Sequence, residues 1–124
     1  MQGSASVRVV EAPDYPSATD DFQLGDWLVE PGLSRVSRRD QSTHIRPQLM
    51  DLLVYLAQNA GRTVSQDELH ANIWPGQPFL AATSLPRCIA ELRRAFGDRA
   101  GVSAVILTVH KRGYRLIAPV TLAG

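Results

Sequence analysis

Thr83-Ser-Leu-Pro-Arg-Cys-Ile-Ala-Glu-Leu-Arg-Arg-Ala-Phe96, closed by Gly97, and Val105-Ile-Leu-Thr-Val-His-Lys-Arg-Gly-Tyr-Arg-Leu-Ile-Ala118 together decide the fold of this chain. At about 100° per residue, Leu85, Ile89, Leu92 and Phe96 fall on one side of a helix, and Arg87, Glu91 and Arg94 fall on the other. The second stretch is rich in β-formers on both sides of His110-Lys111-Arg112-Gly113, which predicts a β-hairpin. A helix with a charged outer ridge is therefore followed by a hairpin with a basic tip.

Working back toward the N-terminus, Ser65 precedes a helical pattern in which Glu68 stands three residues on. This predicts a helix over 65–74 with a reciprocal capping box and a Val64–Leu69 staple, carrying Leu69 and Ile73 inward. Pro75 to Ala82 read as a linker to the third helix, 83–96. Pro47 suits a first helical turn, and Leu49, Leu52, Leu53, Leu56 and Ala57 follow at one-stripe spacing, predicting a helix over 47–60 ended by Gly61. Between residues 21 and 46, short β-rich runs alternate with Gly25-Asp26, Pro31-Gly32 and other turn signals, as in a small antiparallel meander. Residues 1–20 lack periodicity and read as a disordered arm, and residues 121–124 as a tail.

The 124-residue length bounds the chain to one domain with tails, and its apolar fraction of 44% is that of a globular protein. No apolar run approaches the length of a bilayer span, and residues 1–10 do not form a secretory signal, so a cytoplasmic location is expected. The net charge of +1 hides an asymmetry. Up to Glu30 only Arg8 opposes six acids. Between Thr83 and Arg115 seven bases oppose only Glu91 and Asp98, a net +5 that seeks anions if its residues share a face.

Other chemistries find little support. Cys88 lies at the edge of the apolar helical face and reads as a small packed residue. His44, His70 and His110 are dispersed without metal-ligand spacing. No nucleophile elbow, phosphate loop or dinucleotide fingerprint is present, so no enzyme, cofactor or metal is expected. The aromatics Trp27, Tyr55, Trp74, Phe79 and Tyr114 are scattered and form no pattern for stacking single-stranded bases. The residues leave two readings open. In one, the ridge enters the major groove of duplex DNA and the hairpin tip reaches a flanking groove or phosphates. In the other, the same fold is a protein–protein interaction module whose arginines are incidental.

Four segments in order, Arg62-Thr-Val-Ser-Gln-Asp-Glu-Leu69, Ile73-Trp-Pro-Gly76, Ser84-Leu-Pro-Arg-Cys-Ile-Ala-Glu-Leu-Arg-Arg-Ala-Phe-Gly-Asp98 and Thr108-Val-His-Lys-Arg-Gly-Tyr-Arg-Leu-Ile-Ala-Pro-Val120, resemble the OmpR-type winged-helix DNA-binding domain. The likeness is to the branch of CadC-like and ToxR-like transcriptional regulators. The resemblance covers about Phe22 to Val120 and implies an α+β winged helix-turn-helix over 21–120. Its parts would be an N-terminal four-stranded antiparallel sheet (21–46), a three-helix core, a recognition helix (83–96) and a C-terminal wing (105–118).

By position in the family's pattern, the resemblance implies base reading by Arg87, Ala90 and Glu91. It implies phosphate or wing contacts by Thr83, Ser84, Arg93, Arg94, Lys111 and Arg112, and a polymerase-contact loop with Gln77, Phe79 and Leu80. It implies double-stranded DNA and RNA polymerase as partners, and pairing on tandem sites as a homodimer. Regulators of this branch continue into a membrane helix or sensor domain, so residues 121–124 would open a linker, with no membrane contact from this chain. Two departures stand out: Pro86 replaces the family's small hydroxyl residue in the first turn of the recognition helix, and Pro78-Phe79-Leu80-Ala81-Ala82 is more apolar than a polar loop.

Overall fold

The computed structural model describes residues 20–98 and 104–123; the arm expected over 1–20 lies, apart from Asp20, outside the described residues. Strands β1 (Phe22–Leu24), β2 (Trp27–Glu30), β3 (Arg35–Arg38) and β4 (Gln41–His44) form the expected meander. Alternation sets its register. Phe22 faces Val29, Leu24 faces Trp27 and Val29 faces Val36 across the ladder, and all five are buried, so a slip of one residue would send them to solvent.

The sheet has five strands among the described residues, not four. Val120–Leu122, here β8, pairs antiparallel with β1 and gives the order β4-β3-β2-β1-β8. Part of the expected tail is thus strand, with Thr121 opposite Gln23 and Leu122 opposite Phe22. A three-residue run carries no periodicity of its own; the open edge of β1 supplies its partner.

Helix α1 (Pro47–Gln58) begins at the proline, as expected, and ends two residues before the expected end. Asn59 is its C-cap, while Gly61 takes a left-handed φ of 83° beyond the helix and donates its N–H to the Leu116 carbonyl at 3.2 Å. Gly61 therefore ties the loop to the wing instead of capping the helix. After the short strand β5 (Val64–Ser65) comes α2 (Gln66–Ile73), whose Glu68 N–H donates to Ser65 Oγ at 3.0 Å. Val64 and Leu69 are both fully buried. Only half of the capping box forms, because the Glu68 carboxylate turns instead to Arg62 (Nη2–Oε2 2.7 Å, Nη1–Oε1 3.1 Å) and to the Tyr55 hydroxyl on α1.

That contact staples α1 to α2. The Arg62 hydrogen bonds first, and the Tyr55 hydroxyl second, hold the Glu68 carboxyl at about 2, against an ordinary 4.5. A depressed carboxyl contributes stability that is complete above its unfolded value and is lost as pH falls through the folded one. The urea midpoint is thus expected to decline between about pH 5 and pH 2 in the wild type and to decline less steeply in Glu68→Gln. Parallel curves for the two proteins would disprove the contribution.

Helix α3 spans Pro78–Ala95 and differs most from expectation. The linker shrinks to Pro75–Gln77, and residues expected to lie in a loop form the first turns of the helix. Pro78 stands at the helix N-terminus, where a missing N–H is harmless. Ala81 donates its N–H to the Gln77 carbonyl at 2.9 Å and is fully buried, extending the stripe of Leu85, Ile89 and Leu92 by one turn. Pro86 consequently lies inside the helix, not in its first turn, and withholds the hydrogen bond due to the Ala82 carbonyl. Ala82 is exposed, so water can replace it. The Thr83 hydroxyl donates to the carbonyls of Phe79 and Leu80, both at 3.2 Å.

The wing is the hairpin β6 (Ile106–Val109) and β7 (Gly113–Leu116), joined by β5 in a second sheet of order β5-β7-β6. One core unites the layers. Trp27 of β2 meets Phe96, the C-cap of α3, edge to face at 5.2 Å, so the N-terminal sheet supports the end of the helix that carries the charged ridge.

Candidate nucleic-acid interface

The apolar face of α3 is spent on the core: Leu85, Cys88, Ile89 and Leu92 are buried. The opposite face holds Arg87, Ala90 and Arg94 exposed, with Ser84 and Glu91 half-buried. Cys88 is 1% exposed, and burial pushes its thiol up, as for a packed residue. The side chains of Arg87 and Arg94 make no hydrogen bond or ion pair with another described residue, nor do those of Lys111 and Arg112 at the hairpin tip. Ion pairs among the described residues instead join Arg35 to Glu30, Arg46 to Glu91 and Arg62 to Glu68. The Arg87–Glu91 pair that helical spacing allows does not form.

Arg93 faces the wing. Its Nε and Nη2 donate to the Ile106 carbonyl at 3.3 and 3.2 Å, and Nη2 donates to Thr108 Oγ1 at 2.6 Å. Asp98 adds a second anchor, accepting from the backbone N–H groups of Ala104, Val105 and Ile106 at 3.2, 3.0 and 3.1 Å. Sequence reasoning counted Asp98 only as a charge and gave Arg93 a phosphate contact, whereas the Arg93 guanidinium is spent on the wing. The Asp98 carboxylate satisfies the donors at the entrance to β6, and Arg93 ties that strand to α3, so charge-assisted hydrogen bonds join the wing to the helix.

At the hairpin tip the Arg112 N–H donates to the Val109 carbonyl at 2.9 Å, and Lys111, with a φ of 61°, takes the left-handed position. Gly113 has a different task from turning the chain: a Cβ there would lie 1.9 Å from the Val64 carbonyl oxygen. The glycine lets β7 lie against β5. Lys111 and Arg112 are exposed beyond it.

Gln77, Phe79 and Leu80, expected in a polymerase-contact loop, lie at the N-terminal end of α3. Gln77 is its N-cap, and Phe79 is 90% exposed. Thr83 is exposed, although its proton is committed to the helix backbone. Among the described residues no cluster of His, Cys, Asp and Glu could hold a metal ion. Among them, too, no helix is long and apolar enough to cross a membrane.

Comparison with known proteins agrees with this geometry. The family described as "Transcriptional regulatory protein, C terminal" matches residues 40–116. The transcriptional activator CadC of Escherichia coli is 39% identical over 99 residues, covering 79% of this chain and 19% of the activator. The cholera toxin transcriptional activator of Vibrio cholerae is 37% identical over 70 residues, covering 56% of this chain and 24% of that protein. The chain thus spans less than a quarter of either relative's length.

Among solved structures, the DNA-binding domain of E. coli CadC superposes with a TM-score of 0.70 at 35% identity, covering 86% of this chain and all of that one. The Klebsiella pneumoniae RstA DNA-binding domain, in complex with the RstA box, shares the fold with a TM-score of 0.65 at 23% identity, covering 78% of this chain and 96% of that one. With more than half of its length matched and a winged-helix architecture, the chain belongs to the C-terminal, OmpR/PhoB-type DNA-binding domain family of transcriptional regulatory proteins.

Proposed function

We propose that α3 enters the major groove of duplex DNA, with Arg87, Ala90 and Glu91 toward base edges, while Lys111 and Arg112 of the wing engage a flanking groove or phosphates. Ser84 and Arg94 flank the helix as phosphate contacts, and Thr83 can join them only as an acceptor or by releasing its backbone bond. Arg93 serves chiefly to hold the wing in place. One observation carries the reading. Among the described residues the acids that pair with arginine are spent on Arg35, Arg46 and Arg62, which leaves the side chains of Arg87, Arg94, Lys111 and Arg112 without a described partner on the outer face of α3 and at the wing tip. Cations so placed displace counterions condensed on DNA, each phosphate contact contributing about 0.9 to the log–log salt slope. The reading needs no catalytic step and no cofactor, and it places the domain on the cytoplasmic side, with the chromosome.

Selection from random duplexes should enrich one motif, and affinity for it should fall with salt at a slope of roughly −3, as for about three charged phosphate contacts by Arg94, Lys111 and Arg112. A flat dependence, or no enriched motif, would overturn the proposal.

Phe79, 90% exposed, and Leu80, 48% exposed, favour a protein partner at the N-terminal end of α3. RNA polymerase is the partner the family position suggests, and a second copy on a tandem site is compatible with it. Phe79→Ser is expected to keep DNA affinity within about twofold, as for a surface change, and to lower polymerase recruitment on the bound duplex. Loss of DNA binding by the folded variant would reassign this turn to the DNA interface.

A further inference from the structure

Glu91 stands on the charged ridge between Arg87 and Arg94, yet its partner comes from another element. Arg46, the N-cap of α1, donates from Nη2 to Glu91 Oε2 at 2.8 Å and from Nε to Oε1 at 3.3 Å. One guanidinium thus meets both carboxylate oxygens, the two-pronged geometry that fixes orientation as well as distance. Arg46 is itself held on both sides: Pro47 follows it, its carbonyl accepts from the Met50 N–H at 3.0 Å, and the preceding Ile45 is buried and donates to the Ser34 carbonyl at 2.9 Å. The Glu91 side chain remains 29% exposed. A carboxylate has about four lone-pair positions, so two remain after Arg46 has taken two.

We propose that Arg46 is a positioning residue for sequence reading: it holds the Glu91 carboxylate at one orientation on the ridge, ready to accept from a cytosine amino group, and keeps Glu91 from pairing with Arg87. This rests on the DNA-reading function above. Two consequences follow from the arrangement. A flexible carboxylate would lose rotamer freedom on meeting a base, and the fork removes that cost before binding. A lone carboxylate near phosphates is also repelled, whereas one neutralised by Arg46 is not. With the Glu91 carboxylate turned to Arg46, the Arg87 guanidinium has no partner among the described residues and can make its own contact. The expected base is cytosine because its exocyclic amine is the major-groove donor that an acidic side chain commonly accepts.

The test is a double-mutant cycle with Arg46→Met, Glu91→Gln and the combined variant. Each is titrated against the duplex selected by the wild type and against duplexes changed one base pair at a time. Glu91→Gln should lose about tenfold of its preference at one base pair, Arg46→Met should lose preference at that same pair, and the double variant should lose no more than either single. Arg46→Lys keeps the charge without the fork; it should lose preference at that pair too, and it decides the matter should Arg46→Met fail to fold. Preference untouched by both Arg46 variants, losses at different base pairs, or losses that add in the double variant would each overturn the proposal. So would an unchanged preference in Glu91→Gln. Failure of the wild type to select any motif would remove the DNA reading itself, whereas a selected motif indifferent to Arg46 removes only this inference.

Discussion

Gly113→Ala is expected to lower stability by about 2–5 kcal/mol, from backbone strain and overpacking together, and to release the wing from the body of the domain. The residue has a φ of 155°, and an added methyl carbon would stand 1.9 Å from the oxygen, 2.8 Å from the carbon and 2.9 Å from the neighbouring Cα of the Val64–Ser65 backbone. These are backbone atoms of β5, and they cannot rotate aside as a side chain can. Relief requires breaking the pairing of Ser65 with Gly113 and Val64 with Tyr114. That pairing holds the wing to the strand whose last residue, Ser65, caps α2.

For a domain of this size each kcal/mol corresponds to roughly 4–8 °C in Tm, so a fall of at least about 10 °C is expected. Gly76→Ala is the control: it has a φ of 74°, but nothing lies within 4 Å of its added carbon. It should cost only the left-handed penalty of about 1–2 kcal/mol. Thermal melts in which the two variants fall equally would show that close approach to β5 is not what requires Gly113.

The elements that sequence reading located best are those whose signal is local. Pro47 and the stripe from Leu49 to Ala57 mark α1, Ser65 marks the start of α2, and the turn residues separate the strands of the meander. The start of α3 was hidden by a residue of ambiguous meaning, because Pro78 after Pro75-Gly76 reads as more loop, although proline is also a good first helical residue. Ala81 at helical spacing from Leu85 was the available clue. The reciprocal half of the capping box failed for a different reason: Glu68 had a stronger offer from Arg62 and from Tyr55, which is thirteen residues away. Strand β8 escaped notice because its partner, β1, lies at the other end of the domain.

The candidate site divides in the same way. Which face of α3 is outward follows from the spacing of Leu85, Ile89 and Leu92, so Arg87, Glu91 and Arg94 were legible as the outer ridge, of which Arg87 and Arg94 are exposed and Glu91 is half-buried. Pairing was not. Arg46 and Glu91 are 45 residues apart, and Arg93 and Thr108 are 15 apart; only the packing of α1 and the wing against α3 brings them together. Helical spacing offered Arg87 as the partner of Glu91, an exposed pair worth only a few tenths of a kcal/mol, and a two-pronged contact from a fixed neighbour displaces so weak a preference.

Arg87 and Arg112 are expected to fail differently when replaced by alanine. Arg87 rises from the rigid middle of α3, and neither Glu91 nor any other described residue holds its guanidinium. The fork can therefore address the two acceptors of a guanine in the major groove, a contact worth about 1–3 kcal/mol of discrimination. Arg112 follows a left-handed Lys111 at an exposed tip, braced from below by Gly113 against β5 and by Arg93 against β6. From there it meets the DNA backbone, whose charge is the same whatever the sequence. Arg87→Ala should then cost about 1–3 kcal/mol on the selected duplex and relax preference at one base pair, while Arg112→Ala should weaken all duplexes alike and lower the salt slope by about one. Competition against duplexes changed one base pair at a time, with circular dichroism to confirm folding, separates the outcomes. A uniform loss for Arg87→Ala would make that residue a phosphate anchor. An altered base preference in Arg112→Ala would mean that the wing reads a groove, because a cation that touches only phosphate at the tip cannot by itself distinguish one base pair from another.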